Sequence, residues 1–414
     1  MKKEQMIRIR TYFLLAVCAV SLMLSGCTTP KPEEQIVKEE IEIWHYWEDF
    51  RMQEALNAIV AEFNQSQKKI EVSAQYVPAE DFKKQLALSM ADQTMPDLAI
   101  VDSSDFQYFH SVQPFVDLTD EIPQIMEMVP EAKASCQAEG RMMGLPIGMN
   151  CSVLYYNVEL LKAAGIEVPK TVADLYDAAV RLSSEERYVF LISTLRSEES
   201  VYSFLPLLWA EGGNVDTLNS PESYRAFEVL KCLSDSGALS RQSINLNAGD
   251  LTKQFATGKV AMMITSSSVV NTIRQMNPKL EFDITCPPGN QSGECYPLLG
   301  GEIIGISQGE HEEASIEFLK FFSEPERMQK FEEHSGLLSP FQDIRGAQYH
   351  KDPILRKTKE IAALARTREF SKEWPAVSKV LTEAIEEIVI GQRTETEILQ
   401  EASEKIVEIR KAAR

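Results

Sequence analysis

Aromatic rings stand beside carboxylates at His45-Tyr46-Trp47-Glu48-Asp49, and polar groups follow an apolar run at Asp102-Ser103-Ser104. Flat ring faces next to hydrogen-bonding groups suit a non-covalent site, where stacking and hydrogen bonds take the place of water. Motifs for breaking bonds are weaker. Gly305-Ile306-Ser307-Gln308-Gly309 fits the G-x-S-x-G pattern of a nucleophile elbow, and His334 and His350 lie downstream as candidate bases. The helix after it, however, starts only near His311, and no glycine-rich oxyanion segment with a histidine precedes it. A helix cap is the competing role for Ser307. His311-Glu312-Glu313 is no zinc motif of the H-E-x-x-H type, because position 315 is serine. Tyr155 and Tyr156 are adjacent, as some ferric ligands are, but neighbours in a strand point to opposite faces. No phosphate loop, EF-hand or dinucleotide fingerprint occurs, so no cofactor or metal is expected.

The elements that must carry these residues follow from periodicity. Ile41 to Trp47 alternates and is rich in β-formers, which predicts a first strand; Leu56, Ile59, Val60 and Phe63 then recur at helical spacing. Ile70, Val72, Ala74 and Tyr76 alternate as a second strand, Phe82, Leu86 and Met90 share a helical face, and Leu98 to Val101 reads as a buried parallel strand. This β-α-β-α-β order predicts a doubly wound α/β sheet. A compact turn is expected over 140–148, then a strand over Ser152–Tyr156 that opens a second α/β region. Thr171 with Asp174 three residues later forms a capping-box signature, and further strands are expected over 258–264 and 300–306. Helical stripes run from Pro375 to the C-terminal end.

The N-terminal stretch states where the chain goes. Lys2, Lys3, Arg8 and Arg10 precede an apolar core that ends in Leu24-Ser25-Gly26-Cys27, the layout of an export signal rather than a membrane span. The small pair before Cys27 resembles the lipobox of bacterial lipoproteins, which implies cleavage after residue 26 and lipidation of Cys27. Residues 27–40 are polar and carry prolines, and they read as a tether to the membrane's outer face. The net charge of −20 becomes more acidic when the basic leader is removed, which disfavours nucleic acid and anionic headgroups as partners. Of seven cysteines, Cys18 leaves with the leader. Cys136, Cys151, Cys232, Cys286 and Cys295 remain, so at least one is free in a monomer. Cys286 and Cys295 flank a short Pro-Pro-Gly-Asn loop and could bridge, and Cys136 and Cys151 straddle a turn, but small buried thiols are the preferred reading of the five.

From residue 40 onward the chain resembles the extracellular sugar-binding proteins of ABC importers, the family of maltose-binding protein. The pieces that carry the likeness are Met95 to Asp102, Gly140 to Pro146 with Leu154 to Leu161, Ala163 to Ile166 with Pro169-Lys170-Thr171, Glu211-Gly212-Gly213, Phe255 to Met262 and Gly300-Gly301. The resemblance implies a two-lobe periplasmic-binding-protein fold of the type II kind, each lobe a sheet flanked by helices. Its lobes would be 41–148 with 300–338 and 149–299 with 339–414, with hinge crossovers near 148, 300 and 339. It also implies a lipid-anchored monomer that binds a mono- or oligosaccharide between the lobes and delivers it to membrane permease subunits, with no catalysis.

Matched onto the family's contact positions, the ligand site comprises Tyr46, Trp47 and Glu48 after the first strand, Asp102 and Ser103 after the third, Asn150, Tyr202, Ser268, Gly301, Glu302 and Trp374. Trp44 is assigned to packing. An N-cap is the rival role for Asp102 and for Ser104, and a core position is the rival role for Tyr202. Thr265-Ser266-Ser267-Ser268 stands where relatives often carry a tryptophan, and Trp374 is expected to compensate. Glu302, beside the glycine pair, favours a ligand with an amino group, which leaves the specificity within carbohydrates open. The alternative that keeps the fold is a receptor for a polyamine, a glycerophosphodiester or another non-sugar solute.

Overall fold

The computed structural model describes residues 38–413 except 114, 184–188 and 342–351. The leader, Cys27 and most of the tether therefore lie outside the described residues, as does His350. Among the described residues, no helix is long and apolar enough to cross a membrane.

The first three strands, β1 (Glu39–His45), β2 (Ile70–Tyr76) and β3 (Leu98–Asp102), pair in parallel around β1, joined by the helices Phe50–Ser66 and Ala79–Asp92. The expected β-α-β-α-β order is met because each helix buries one stripe against the sheet: Leu56, Ile59, Val60 and Phe63 from the first, Phe82 and Leu86 from the second. The expected turn over 140–148 is shorter than that. A hairpin of β4 (Gln137–Ala138) and β5 (Arg141–Met142) turns at Gly140, whose φ of +83° lies in the left-handed region. The chain is already extended at Leu145, and β6 runs continuously from Leu145 to Asn157.

That long strand joins the molecule's two halves. β6 pairs antiparallel with β10 (Leu298–Ile306) through Cys151–Leu299 to Leu145–Ile304, with a bulge between Glu302 and Ile303. Beyond it, β6 pairs with β8 (Met262–Ser266) and β9 (Phe282–Thr285), and β8 pairs with β7 (Phe190–Leu191). Apart from the β4–β5 hairpin, the described strands thus form one nine-stranded sheet that runs through both halves, with the path β2-β1-β3-β10-β6-β8-β7, β9 attached to β6 and β11 (Arg366–Thr367) attached to β10. The strand expected over 258–264 starts four residues later, at Met262.

Burial divides where the strands cross. One core holds residues from Ile41 to Ile147 and from Ile303 to Phe341, and it includes Phe63, Phe106, Phe318 and Phe331. The other half lies on the two faces of β6, because side chains alternate along a strand. Leu154 and Met262 pack under the helices Glu198–Ala210 and Trp374–Ile390, whereas Val153, Tyr155 and Met263 pack against Leu251, Phe255 and Ile273. At the crossing, Met149 exchanges both backbone hydrogen bonds with Leu338, at 2.8 and 2.7 Å. Phe341 joins the first core, three residues past the expected boundary at 338.

The Thr171–Asp174 capping box is present in both directions. Cys286 is disulfide-bonded to Cys295 with Cα atoms 6.2 Å apart, whereas Cys136 and Cys151 are buried free thiols and Cys232 is a half-buried one.

Candidate functional site

A cavity of about 800 Å³ is walled by both halves, within the size range of small-molecule sites. Strand ends and helix starts supply its wall. Tyr46 and Glu48 follow β1, Asp102 ends β3, Asn150 sits in β6, Glu302 sits in β10, and Tyr202 comes from the helix Glu198–Ala210.

At one end, Tyr46 donates its phenol hydrogen to Glu302 Oε2 at 2.8 Å. Register places Glu302 directly opposite Asp102 on the neighbouring strand. Burial, followed by the Asp102 charge, pushes the Glu302 carboxyl up to about 8. Asp102 Oδ1 accepts Arg368 Nη2 at 2.8 Å and also the Ser104 backbone N–H and hydroxyl. The other guanidinium nitrogen, Nη1, donates to Glu198 Oε1 at 2.7 Å. Arg368 is only 3% exposed, and its two carboxylates come from opposite halves. Beside them Lys83 pairs with the buried Asp105 at 2.6 Å.

Further along, Tyr202 donates to Asn150 Oδ1 at 2.7 Å. Gly300 makes that pair possible, because a Cβ there would lie 2.6 Å from Asn150 Oδ1 and 3.0 Å from the Tyr202 ring. Ser268 lines the same wall, its hydroxyl 2.8 Å from that of Ser266. Glu199 accepts the Ala248 N–H at 2.7 Å, and burial pushes its carboxyl up to about 7. At the far rim Asp49 caps the helix Phe50–Ser66 through Oδ1 and takes the Thr272 hydroxyl at 2.6 Å through Oδ2, a bond between the halves. Arg51 adds another to Gln275.

The structure thus brings Tyr46, Glu48, Asp102, Asn150, Tyr202, Ser268 and Glu302 to one cavity. Three expectations need correction. Ser103, one residue past β3, and Gly301 in β10 do not line it, and the Ser103 N–H bonds the Gly301 carbonyl at 2.9 Å. For Gly301 period two accounts for this, since its strand neighbour Glu302 faces the cavity. Trp47 lines the cavity as expected, although it is 3% exposed and packs on His45 and Phe331. Trp44, assigned to packing, is half-buried against the first core and donates its indole N–H to Glu42. Trp374 does not line the cavity; it opens a helix in the core and donates its indole N–H to Glu198 at 3.1 Å, bracing the Arg368 bridge from behind.

Neither capping alternative holds. Asp102 and Ser104 form a local side-chain turn ahead of the helix Phe106–Val112, whose N-cap is Asp105. Ser307 is five residues from its helix and donates to the Pro96 carbonyl at 2.7 Å, which removes the hydroxyl from service as a nucleophile. Tyr155 is fully buried while Tyr156 faces Asp283 from the other side of β6.

Arg368, Lys83, Asp105 and Glu198 were not among the residues expected here. Nothing in the local sequence separates Arg368 from Arg366, which is exposed and lies over the Tyr296 ring at 3.9 Å.

The sequence profile of bacterial extracellular solute-binding proteins matches residues 58–357. The chain belongs to that family. As a solute-binding protein it is exported, and its relatives and fold neighbours are binding proteins of ABC transporters, not enzymes. It is 22% identical to the multiple sugar-binding protein of Streptococcus mutans over 83% of this chain and 84% of that one. Its fold matches a Thermotoga lettingae ABC-transporter solute-binding protein bound with α-D-tagatose, with a TM-score of 0.83, 20% identity and coverage of 90% and 100%. It also matches UgpB of Mycobacterium tuberculosis in complex with glycerophosphocholine, with a TM-score of 0.79, 17% identity and coverage of 91% and 99%. The architecture of this solute-binding protein is therefore the two-lobe one that the sequence resemblance implies.

Proposed function

We propose that the protein is a lipid-anchored receptor that takes a mono- or oligosaccharide into the cavity between its halves and delivers it to the permease of an ABC importer. The observation that carries this reading is the wall itself. Partly exposed rings, Tyr46 and Tyr202, stand next to an amide and carboxylates that replace water around hydroxyl groups. The lobes are 41–148 with 300–341 and 149–299 with the chain from residue 352 onward, and they close about the crossing at Met149 and Leu338. Binding is monomeric and involves no bond-breaking.

A glycerophosphodiester is the second reading, favoured by the UgpB likeness. The charge arrangement at the Glu302 end weighs against a phosphate there, since both cations at that end, Arg368 and Lys83, already serve buried carboxylates; the other cations of the wall, Arg196, Lys253 and Lys379, lie outside this cluster.

Thermal denaturation of the body from residue 39 onward, with a panel of neutral sugars, amino sugars and glycerophosphocholine, tests the ligand class, because a solute bound only to the native state raises the midpoint. A rise with a saccharide is expected; a rise with glycerophosphocholine alone overturns the reading. For the anchor, Cys27→Ser is expected to move the protein from the membrane fraction to the medium. Retention at the membrane refutes lipidation at that site.

A further inference from the structure

The polar end of the cavity is short of positive charge. Asp102, Asp105, Glu198 and Glu302 converge there, and the cations among them are Arg368, shared by Asp102 and Glu198, and Lys83, held by Asp105. Glu302 is 5% exposed, and among the described residues no lysine or arginine forms an ion pair with it. Its hydrogen-bond donor is a neutral phenol, Tyr46, and the indole N–H of Trp47 faces it without closing a bond of ordinary geometry. Like charges directly opposite on paired strands repel, and Asp102 is in that position.

A second observation points to an arriving donor. Asp105 is 3% exposed and lines the cavity, yet its Oδ1 has no hydrogen-bond partner. A buried acceptor left without a donor is costly. An ammonium carries three donors and one positive charge, which answers both deficits, whereas a hydroxyl answers only the first.

We propose that the solute of this cavity carries a protonated amine, seated against Glu302 beside Tyr46. The proposal rests on the saccharide reading in that it makes the ligand an amino sugar or an oligosaccharide that contains one. The groups facing Glu302 are Tyr46 and Trp47 from the end of β1, Asp102 from β3 and Arg368 from the segment after β11. Because Glu302 titrates near 8, it holds its proton at pH 6.5. An ammonium placed against it favours the carboxylate, so binding expels that proton to solvent.

Titration calorimetry at pH 6.5 tests this with glucosamine, galactosamine, mannosamine and a β-1,4-linked glucosamine disaccharide. Each is paired with its neutral parent sugar, and spermidine is run alongside. The expected result is one amino sugar bound about tenfold or more tighter than its neutral parent, with proton release seen as a dependence of the heat on buffer ionisation. Glu302→Gln is expected to remove both the preference and the release, and its melting midpoint reports that it folds. The proton count on the wild-type protein needs no variant. A neutral sugar bound as tightly as its amino counterpart, or amine binding without proton release, overturns the proposal and leaves the saccharide reading intact. Binding of spermidine alone keeps the amine and overturns the sugar. Failure of every amine to bind overturns the proposal.

Discussion

Asp102 and Glu302 face each other across β3 and β10, two carboxylates in direct register at the inner end of the cavity. They are not equivalent. Asp102 holds Arg368 and two donors from Ser104, whereas Glu302 holds the Tyr46 phenol. Burial and the charge opposite raise the Glu302 carboxyl to about 8, so this member keeps its proton near neutral pH.

Arg368→Met removes the cation between Asp102 and Glu198 and leaves both carboxylates without it. Breaking a buried ion pair by deleting one partner costs about 3–5 kcal/mol. Chemical denaturation is expected to show a loss of that size, with Arg368→Lys recovering only part, because one ammonium does not reproduce the planar fork. A midpoint unchanged in Arg368→Met argues against the bridge.

Gly300→Ala puts a methyl into the Asn150–Tyr202 hydrogen bond. Overpacking of this kind costs about 1–3 kcal/mol. Affinity for whichever saccharide raises the melting midpoint is expected to fall about tenfold or more, with the protein still folded. Full affinity in this variant takes Asn150 and Tyr202 out of the site.

Thr272→Val deletes the hydroxyl that reaches Asp49 from the other half. A hydrogen bond to a charged group contributes about 1.5–3 kcal/mol, enough to move an open–closed equilibrium by tenfold. Small-angle scattering is expected to give a larger radius of gyration than the parent, with saccharide restoring compactness. No change in either condition means that the halves do not open there.

Stability should depend on pH from both sides. Glu302 and Glu199 titrate in the folded protein near 8 and 7, above their ordinary value of 4.5. Between those limits the unfolded chain has released protons that the native state still holds, so stability falls as pH rises, by at most about 1.4 kcal/mol per pH unit for each group. Burial pulls His45 the other way, down to about 4 from 6.5, so stability also falls as pH drops through that window. Melting curves are expected to flatten on the alkaline side in Glu302→Gln and on the acid side in His45→Asn. Unaltered slopes in both variants refute the assignment of these groups.

Much of the first half is legible because its periodicity is strong: Leu56, Ile59, Val60 and Phe63 mark one helix face, and Ile70 and Val72 mark the inward side of a strand. Asp102, Glu302, Tyr46 and Trp47 follow from the family's contact positions, and all four line the cavity. Ser103 and Gly301 do not: Gly301 alternates with Glu302 along β10, and Ser103 lies one residue past β3, where strand period no longer says which way a residue faces.

By itself, the sequence determined the α/β alternation, the helix caps at Thr171 and Asp174, and the set of aromatic and carboxylate residues near the ends of strands, because each depends on neighbours a few positions apart. The tertiary structure alone decided that β6 and β10 run through both halves, that Asp102 and Glu198 share Arg368 across 266 and 170 positions of chain, and that Trp374 supports the site from the core. Those contacts arise from packing between distant segments, and no local period or propensity encodes which distant carboxylate a buried guanidinium will meet.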